Sequence, residues 1–158
     1  MKVGQKEYAT PLRIVHDPTS TFTEAERRLR HAAAMDLYKM HEDLAAIVAD
    51  IMSRQKLLKD SIAKVPQERK KKGLQAEVDQ LESLRAELIP TKQTSIFADE
   101  TRLREDITEV YVAVCSNEQA PTNLQLDRIK DLRGKVDDAR KKLDGMISGK
   151  GSRGHGSR

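Results

Sequence analysis

With 158 residues, the chain is long enough for one domain with a core of its own. It has no Trp and only 3% aromatic residues, whereas 34% of its residues are charged, so the core must be aliphatic and the composition is typical of a helical bundle. The formal net charge is +4, but the last ten residues, GKGSRGHGSR, hold three basic residues and no acidic one, which excludes a strongly basic body. Outside the tail the positive charge is concentrated in one run, residues 69–72, and not spread over one face, so we do not expect nucleic acid as the main partner.

The first predicted element is an extended segment over residues 6–16. Tyr8 and the stretch LRIV supply its apolar residues, and Pro11 suits an edge or the start of a strand because it cannot donate a ladder hydrogen bond. Asp17 ends the segment, since a residue before proline is kept from helical dihedral angles. A single strand is not stable alone, so this orphan β-strand requires a sheet that the rest of the sequence does not provide.

A long first helix is predicted to begin at Thr21 or Thr23, each of which has a Glu three residues later, as in a capping box. No Gly or Pro follows before Pro66. Apolar residues recur with the heptad spacing of a coiled-coil seam, which Arg54 and Ser61 interrupt. The seam consists of Ala33, Leu37, Met40, Leu44, Ile47, Ile51, Leu58 and Val65.

Three shorter helices are predicted to follow. Pro66 ends the first helix, the stretch PQERKKKG makes the turn, and the second helix stops at Pro90. The connector TKQTSIFAD leads to the third helix, and Thr122 with Gln125 forms a capping box before the fourth. The predicted core-facing side of the second helix consists of Leu74, Val78, Leu81, Arg85 and Leu88. That of the third consists of Leu103, Ile107, Val110 and Val114. That of the fourth consists of Leu126, Ile129, Leu132, Val136, Ala139, Leu143 and Met146.

The helix lengths predict an all-α fold, an elongated up-down helical bundle preceded by the orphan strand. At 1.5 Å per residue the first helix spans roughly 63 Å, the second and third roughly 33 and 25 Å, and the fourth roughly 39 Å. We therefore expect one long helix, a broken return column and a final helix, with a bare hairpin near Pro66. At the three-helix end, the residues expected to pack together are Val110, Val114, Ile129, Leu132, Val136, Ala33, Leu37 and Met40.

No residue pattern indicates an active site, a cofactor or a metal, so we predict that the chain is not an enzyme. The four histidines have no second His or Cys at a helical ligand spacing, and the carboxylates alternate with Lys and Arg as on solvated helix faces. The single cysteine, Cys115, is expected to be a small buried hydrophobe. The apolar runs are too short to cross a bilayer and no signal-peptide pattern is present, so we expect no membrane insertion.

The stretch GQKEYATPLRIVHDPTSTFTEAE resembles a junction in sortilin-like, BNR-repeat, glycosyl hydrolase-like proteins. There a β-propeller is followed by a small β-sandwich, whose last strand has the pattern GKxYxxPLxVxxDPR, and then by a helical bundle. The stretch LREDITEVYVAVCSNEQAPTNLQLDRIKDLRGKVDDARKKLD resembles the last two helices of such bundles, although Thr19 and SIFAD depart from the family pattern. The matching residues are Tyr8, Pro11, Leu12, Val15, Asp17, Pro18, Leu103, Val110, Val114, Pro121, Thr122 and Leu132.

This resemblance implies that residues 1–18 are the remnant of the last strand of an upstream β-sandwich with its linker. Residues 19–148 are then a helical bundle, and residues 149–158, which offer nothing apolar to bury, a disordered basic tail. The implied role is that of a non-catalytic C-terminal structural or interaction domain of a BNR-repeat propeller protein. The implied partner is the upstream propeller or sandwich, or a second copy of the chain. The location would be secreted or periplasmic if the parent resembles the family, and otherwise cytoplasmic.

Two other functions stay open. The chain could be a free-standing coiled-coil adaptor that pairs through the seam, or a basic helical protein that binds nucleic acid through residues 69–72 and the tail. For the propeller-protein module and for the coiled-coil adaptor, the predicted interaction surface lies on the hairpin near Pro66, where two helices would leave one aliphatic flank uncovered. It consists of Ile47, Ile51, Leu58, Ile62, Leu74, Val78 and Leu81.

Overall fold

The computed structural model describes residues 2–15, 17–91 and 101–148. The predictions for the connector at residues 92–100 and for the basic tail at residues 149–158 lie outside the described residues. Within the described part, four helices form the all-α bundle that the sequence predicts. The elements are β1 (Lys2–Val3), β2 (Lys6–Glu7), α1 (Glu24–Lys64), α2 (Glu68–Leu88), α3 (Leu103–Cys115) and α4 (Asn123–Ser148).

The strand predicted over residues 6–16 is much shorter in the structure. Of residues 6–15, only Lys6 and Glu7 form a strand, β2. This strand pairs antiparallel with β1, so that Lys2 lies opposite Glu7 and Val3 opposite Lys6. Gly4, in the turn between them, has a φ of 63°, which favours glycine because it has no Cβ. The two strands therefore form a local ladder whose described side chains are exposed.

The apolar part of the predicted strand, residues 8–15, has no regular secondary structure and is exposed throughout. Leu12 is 86% exposed and Ile14 is 89% exposed. We call residues 8–15 the arm.

Helix α1 begins at a complete capping box. The hydroxyl of Thr23 accepts the N–H of Glu26 at 3.3 Å, and the Glu26 carboxylate accepts the N–H of Thr23 at 2.7 Å. The second of the two predicted boxes is therefore the one that forms. The buried side of α1 follows the predicted seam and adds Gln55, and it consists of Ala33, Leu37, Met40, Leu44, Ile47, Ile51, Gln55 and Leu58.

Helices α2 and α3 both run antiparallel to α1 and form the broken return column. Arg54 of α1 pairs with Glu77 of α2 at 2.9 Å, which places α2 beside the C-terminal half of α1. Arg30, near the start of α1, donates to the carbonyl of Asn117 at 2.8 Å, so the end of α3 lies beside the start of α1.

Helix α4 runs parallel to α1, and a ladder of ion pairs joins the two. The Arg133 guanidinium donates to the carboxylates of Asp36 and Asp43, each at 2.7 Å, and Arg140 donates to Asp50 at 2.6 Å. Burial by itself would lower the pKa of Arg133, but its hydrogen bonds with the two aspartates outweigh this and raise the pKa. The guanidinium therefore stays charged and joins α4 to two aspartates of α1 that are seven residues apart.

The predicted packing at the three-helix end is confirmed. All of the predicted residues belong to one core cluster, with Val110 at its partly buried edge. The fourth helix also starts as predicted, since the hydroxyl of Thr122 accepts the N–H of Gln125 at 3.2 Å.

Three local predictions are wrong. Helix α2 already begins at Glu68, so the basic run RKKK lies in the helix and not in the turn. On α2, Leu84 is buried while Arg85 is half-buried, because the core-facing side is rotated toward Leu84. Cys115 is exposed, since it follows the buried Val114 and lies about 100° around the helix from it.

Replacing Val136 by Asp tests the core. Val136 is 2% exposed and belongs to the aliphatic core, so a carboxylate there would be buried, and we expect the free energy of unfolding to fall by about 3 kcal/mol or more. Urea denaturation measures this. As a control, Leu124→Asp introduces the same group at an 81% exposed position in the first turn of α4, where we expect a change below about 0.5 kcal/mol. Equal losses in the two variants would contradict the position of Val136.

The capping box of α1 predicts a pH dependence. Hydrogen bonds from the hydroxyl and the backbone N–H of Thr23 lower the pKa of Glu26. Because the folded-state pKa is depressed, the stabilisation by the ionised carboxylate is present above the unfolded-state pKa and is lost as the pH falls through the folded-state pKa. In urea denaturation, the stability advantage of the native chain over Glu26→Gln should therefore shrink between about pH 6 and about pH 3. A constant difference would mean that the ionised Glu26 does not stabilise the helix start.

Candidate functional site

The seven residues of the predicted interaction surface form the inside of the hairpin made by α1 and α2. Five are buried, and Ile62 and Leu74 are partly buried against the same core. An uncovered flank therefore does not consist of these side chains, because each helix uses them to cover the other. The five buried residues are Ile47, Ile51, Leu58, Val78 and Leu81.

A polar layer crosses the hairpin beside these residues. Arg54 donates two hydrogen bonds to one carboxylate oxygen of Glu77, at 2.9 and 3.2 Å. The side chain of Glu77 is only 5% exposed, whereas that of Arg54 is 33% exposed. Arg54, which interrupts the predicted seam, thus has a partner on α2. Ser61 does not reach α2 in this way, since its hydroxyl donates to the Leu57 carbonyl of its own helix at 2.8 Å.

A second set of hydrogen bonds extends this layer toward the middle of the molecule. The side-chain amide of Gln55 donates to Glu82 at 3.0 Å, and Arg85 donates to the same carboxylate at 2.6 and 3.0 Å. The hydrogen bonds from Arg85 and Gln55 lower the pKa of Glu82. The layer is satisfied by pairs that match only in this alignment, so it fixes the register of α1 against α2.

Part of the exposed apolar surface of the long helix lies elsewhere, on its outer side. Tyr38, Ala45, Ala49 and Met52 recur at helical spacing there, and Tyr38 and Met52 are 49% and 54% exposed. We call these four residues the outer stripe. The heptad seam accounts for one face of α1 only and so does not reveal this second stripe, although the helical spacing of Ala45, Ala49 and Met52 is present in the sequence.

A groove of about 320 Å³ runs along the outer stripe where α1 meets the end of α2 and the start of α3. Val48 and Ile89 line it, and His41 and Arg104 supply its polar groups. Burial and the charge of Arg104 lower the pKa of His41, whose ring meets the edge of Tyr111 with centroids 6.5 Å apart. A neutral imidazole in an apolar groove is suited to packing and does not form a nucleophile or a metal site with any neighbour described here.

The described residues carry no group of three or more His, Cys, Asp or Glu side chains placed to hold a metal ion. None of the helices described is long and apolar enough to cross a membrane.

No family model, no curated protein and no solved structure matches the chain.

A double-mutant cycle on Arg54 and Glu77 tests the polar layer. Glu77→Ala leaves Arg54 half-buried without its carboxylate, and we expect the free energy of unfolding to fall by about 1–3 kcal/mol. The loss should be smaller when Arg54 is already Ala, and urea denaturation of the four proteins gives the coupling. Glu68→Ala is the matched control, because its pair with Lys71 is exposed and worth about 0–1 kcal/mol. A coupling free energy of zero would mean that the Arg54–Glu77 pair does not contribute to the register of α1 against α2.

Proposed function

We propose that this chain is a non-catalytic helical domain that serves as the C-terminal structural and interaction module of a β-propeller protein of the sortilin-like, BNR-repeat kind. Two features support the proposal: the resemblance of residues 4–26 to the junction that follows the β-sandwich in that family, and the exposure of the arm. The proposal includes no catalytic activity for this domain, and its binding partner is the upstream sandwich or propeller.

The observation that carries the proposal is the uncovered apolar side of the arm. Leu12 and Ile14, which point to the same side of an extended chain, are 86% and 89% exposed. Burying each of them would contribute roughly 1.5–3 kcal/mol. An extended segment can be added to the edge of a sheet, where main-chain hydrogen bonds supply affinity and alternate side chains supply specificity. The sandwich of the parent protein is the sheet that the resemblance suggests.

The outer stripe of α1 favours a second candidate, a free-standing coiled-coil adaptor that pairs with a second copy of itself. If two such helices lie antiparallel about Ala45, Tyr38 of one faces Met52 of the other, a favourable sulfur–aromatic contact, and the alanine at the centre permits close approach. Sedimentation of the chain alone at several concentrations separates the two candidates, because the adaptor associates without a propeller protein and the module does not.

Binding of the full chain to a propeller protein of the resembled family, prepared without its own last sandwich strand, tests the module. Titration calorimetry should show binding that Ile14→Asn weakens by about tenfold or more, because it removes an aliphatic contact from the buried side of the added strand. Arg13→Asn introduces the same side chain on the opposite side of the strand and should leave the affinity within about threefold. Absence of binding, or equal losses in both variants, would overturn the proposal.

A further inference from the structure

The end of the α1–α2 hairpin gathers basic residues from two helices. We call residues 56–72 the hairpin tip. It contains seven Lys or Arg residues and two acidic residues, a formal net charge of +5. The sequence shows the run at residues 69–72, and the antiparallel hairpin brings Lys56, Lys59 and Lys64 of α1 to the same end.

The rest of the helical region has the opposite charge. Residues 1–55 and 73–148 hold 19 basic and 23 acidic residues, a formal net charge of −4. Arg140 lies opposite Asp50, so α4 ends at Ser148, level with about residue 58 of α1 when the same helical rise is counted along both helices. Most of the hairpin tip therefore projects beyond the end of α4 in the part of the chain that the structure describes.

The basic residues of the tip differ from those of the body in their partners. In the body, most described basic side chains of the helices form ion pairs. In the tip, Lys71 pairs with Glu68 at 3.1 Å, and Lys59 interacts with the charge of Glu82. The other five basic side chains of the tip have no acidic partner within 4.0 Å among the described residues, and all five are exposed. They are Lys56, Lys64, Arg69, Lys70 and Lys72.

Helix stability does not explain this arrangement. Basic side chains in the first turns of α2 oppose the helix dipole, which favours acidic residues at that end. Gln67 gives the helix no side-chain cap, and Glu68 is the one acidic residue in its first turn, against four basic residues directly after it. Sites where a sequence breaks such a local rule without compensation are where function is expected.

We propose that the hairpin tip binds the phosphate backbone of double-stranded nucleic acid without reading its sequence. Closely spaced exposed cations that release counterions from phosphates are the basis of such binding. The tip has no aromatic residue for stacking on unpaired bases, which disfavours a single-stranded partner. It also lacks the aromatic side chains that anchor a helix in a membrane interface. This inference does not depend on a propeller parent.

The test uses the full chain and a fluorescently labelled DNA duplex of about 24 base pairs, long enough for a site of several phosphates. A tip variant replaces Lys56, Lys64, Arg69, Lys70 and Lys72 by Gln, and a body variant replaces Lys39, Lys130, Lys135, Lys141 and Lys142 by Gln. A third variant replaces Lys150, Arg153 and Arg158 by Gln. Fluorescence anisotropy over a salt series gives the affinity and its salt dependence, and circular dichroism confirms equal helix content.

The native chain should bind at low salt, with the logarithm of the association constant falling by about 3 to 5 per tenfold rise in salt, as expected for four or five phosphate contacts. The tip variant should bind about tenfold or more weakly, with a shallower salt dependence, whereas the body and tail variants should stay within about threefold. No binding of the native chain, or equal losses in the tip and body variants, would overturn the proposal. So would binding to phosphatidylserine vesicles that exceeds binding to the duplex, because the tip would then be a membrane contact.

Discussion

The three shorter helices depend on one apolar face of α1. The fully buried residues Leu37, Met40, Ile47 and Ile51 lie on that face, and α2, α3 and α4 each pack against some part of it. A helix of 41 residues would not be stable with that face in water, since helical stability in proteins comes chiefly from the packing of an amphipathic side. Because α1 is longer than either α2 or α3, these two helices pack one after the other along it.

This dependence divides the molecule into two regions with different physical character. Near the start of α1, aliphatic packing against α3 and α4 is reinforced at its edge by Arg133, whose guanidinium reaches two aspartates. Near the end of α1 only α2 is present, and specificity comes from the polar layer around Gln55 and Glu77. Burying such groups is costly when they are unpaired and close to neutral when they are paired, so the layer selects an alignment more than it adds stability.

The parts of the fold that were predictable from the sequence rest on local rules. The box at Thr23 and Glu26, the break at Pro66 and the seam through Leu44 and Ile51 each follow from nearby residues alone. What could not be predicted depends on neighbours distant in sequence. Glu77 is buried because Arg54 lies across from it. The apolar spacing within α2 does not predict that Glu77 is buried, because the spacing contains no information about Arg54 on α1.

The candidate site shows the same division. The residues of the predicted interaction surface lie on α1 and α2. A pattern of apolar side chains in the sequence does not distinguish a surface that two helices bury between them from a surface that they leave exposed. Ile51 is fully buried, while Met52, one residue later, is exposed on the outer stripe. The sequence shows the basic run at residues 69–72 of the hairpin tip. The charge density of the tip also depends on the lysines of α1, which the hairpin brings to the same end as that run.

The ion-pair ladder between α1 and α4 repeats with the same period as the core. Asp36, Asp43 and Asp50 are seven residues apart, as are Arg133 and Arg140. If α4 slid by one heptad, about 10 Å, toward the end of α1, Arg133 would meet Asp43 and Asp50, and only Arg140 would lose its carboxylate. The two alignments are thus close to degenerate for this pair of helices alone. The short loop from α3 and the pairing of Arg128 with Asp106 at 3.2 Å remove the degeneracy, because α3 cannot follow α4 through such a shift. Lengthening that loop would therefore leave the Arg128–Asp106 pair and the packing of α4 against α2 and α3 to select the register.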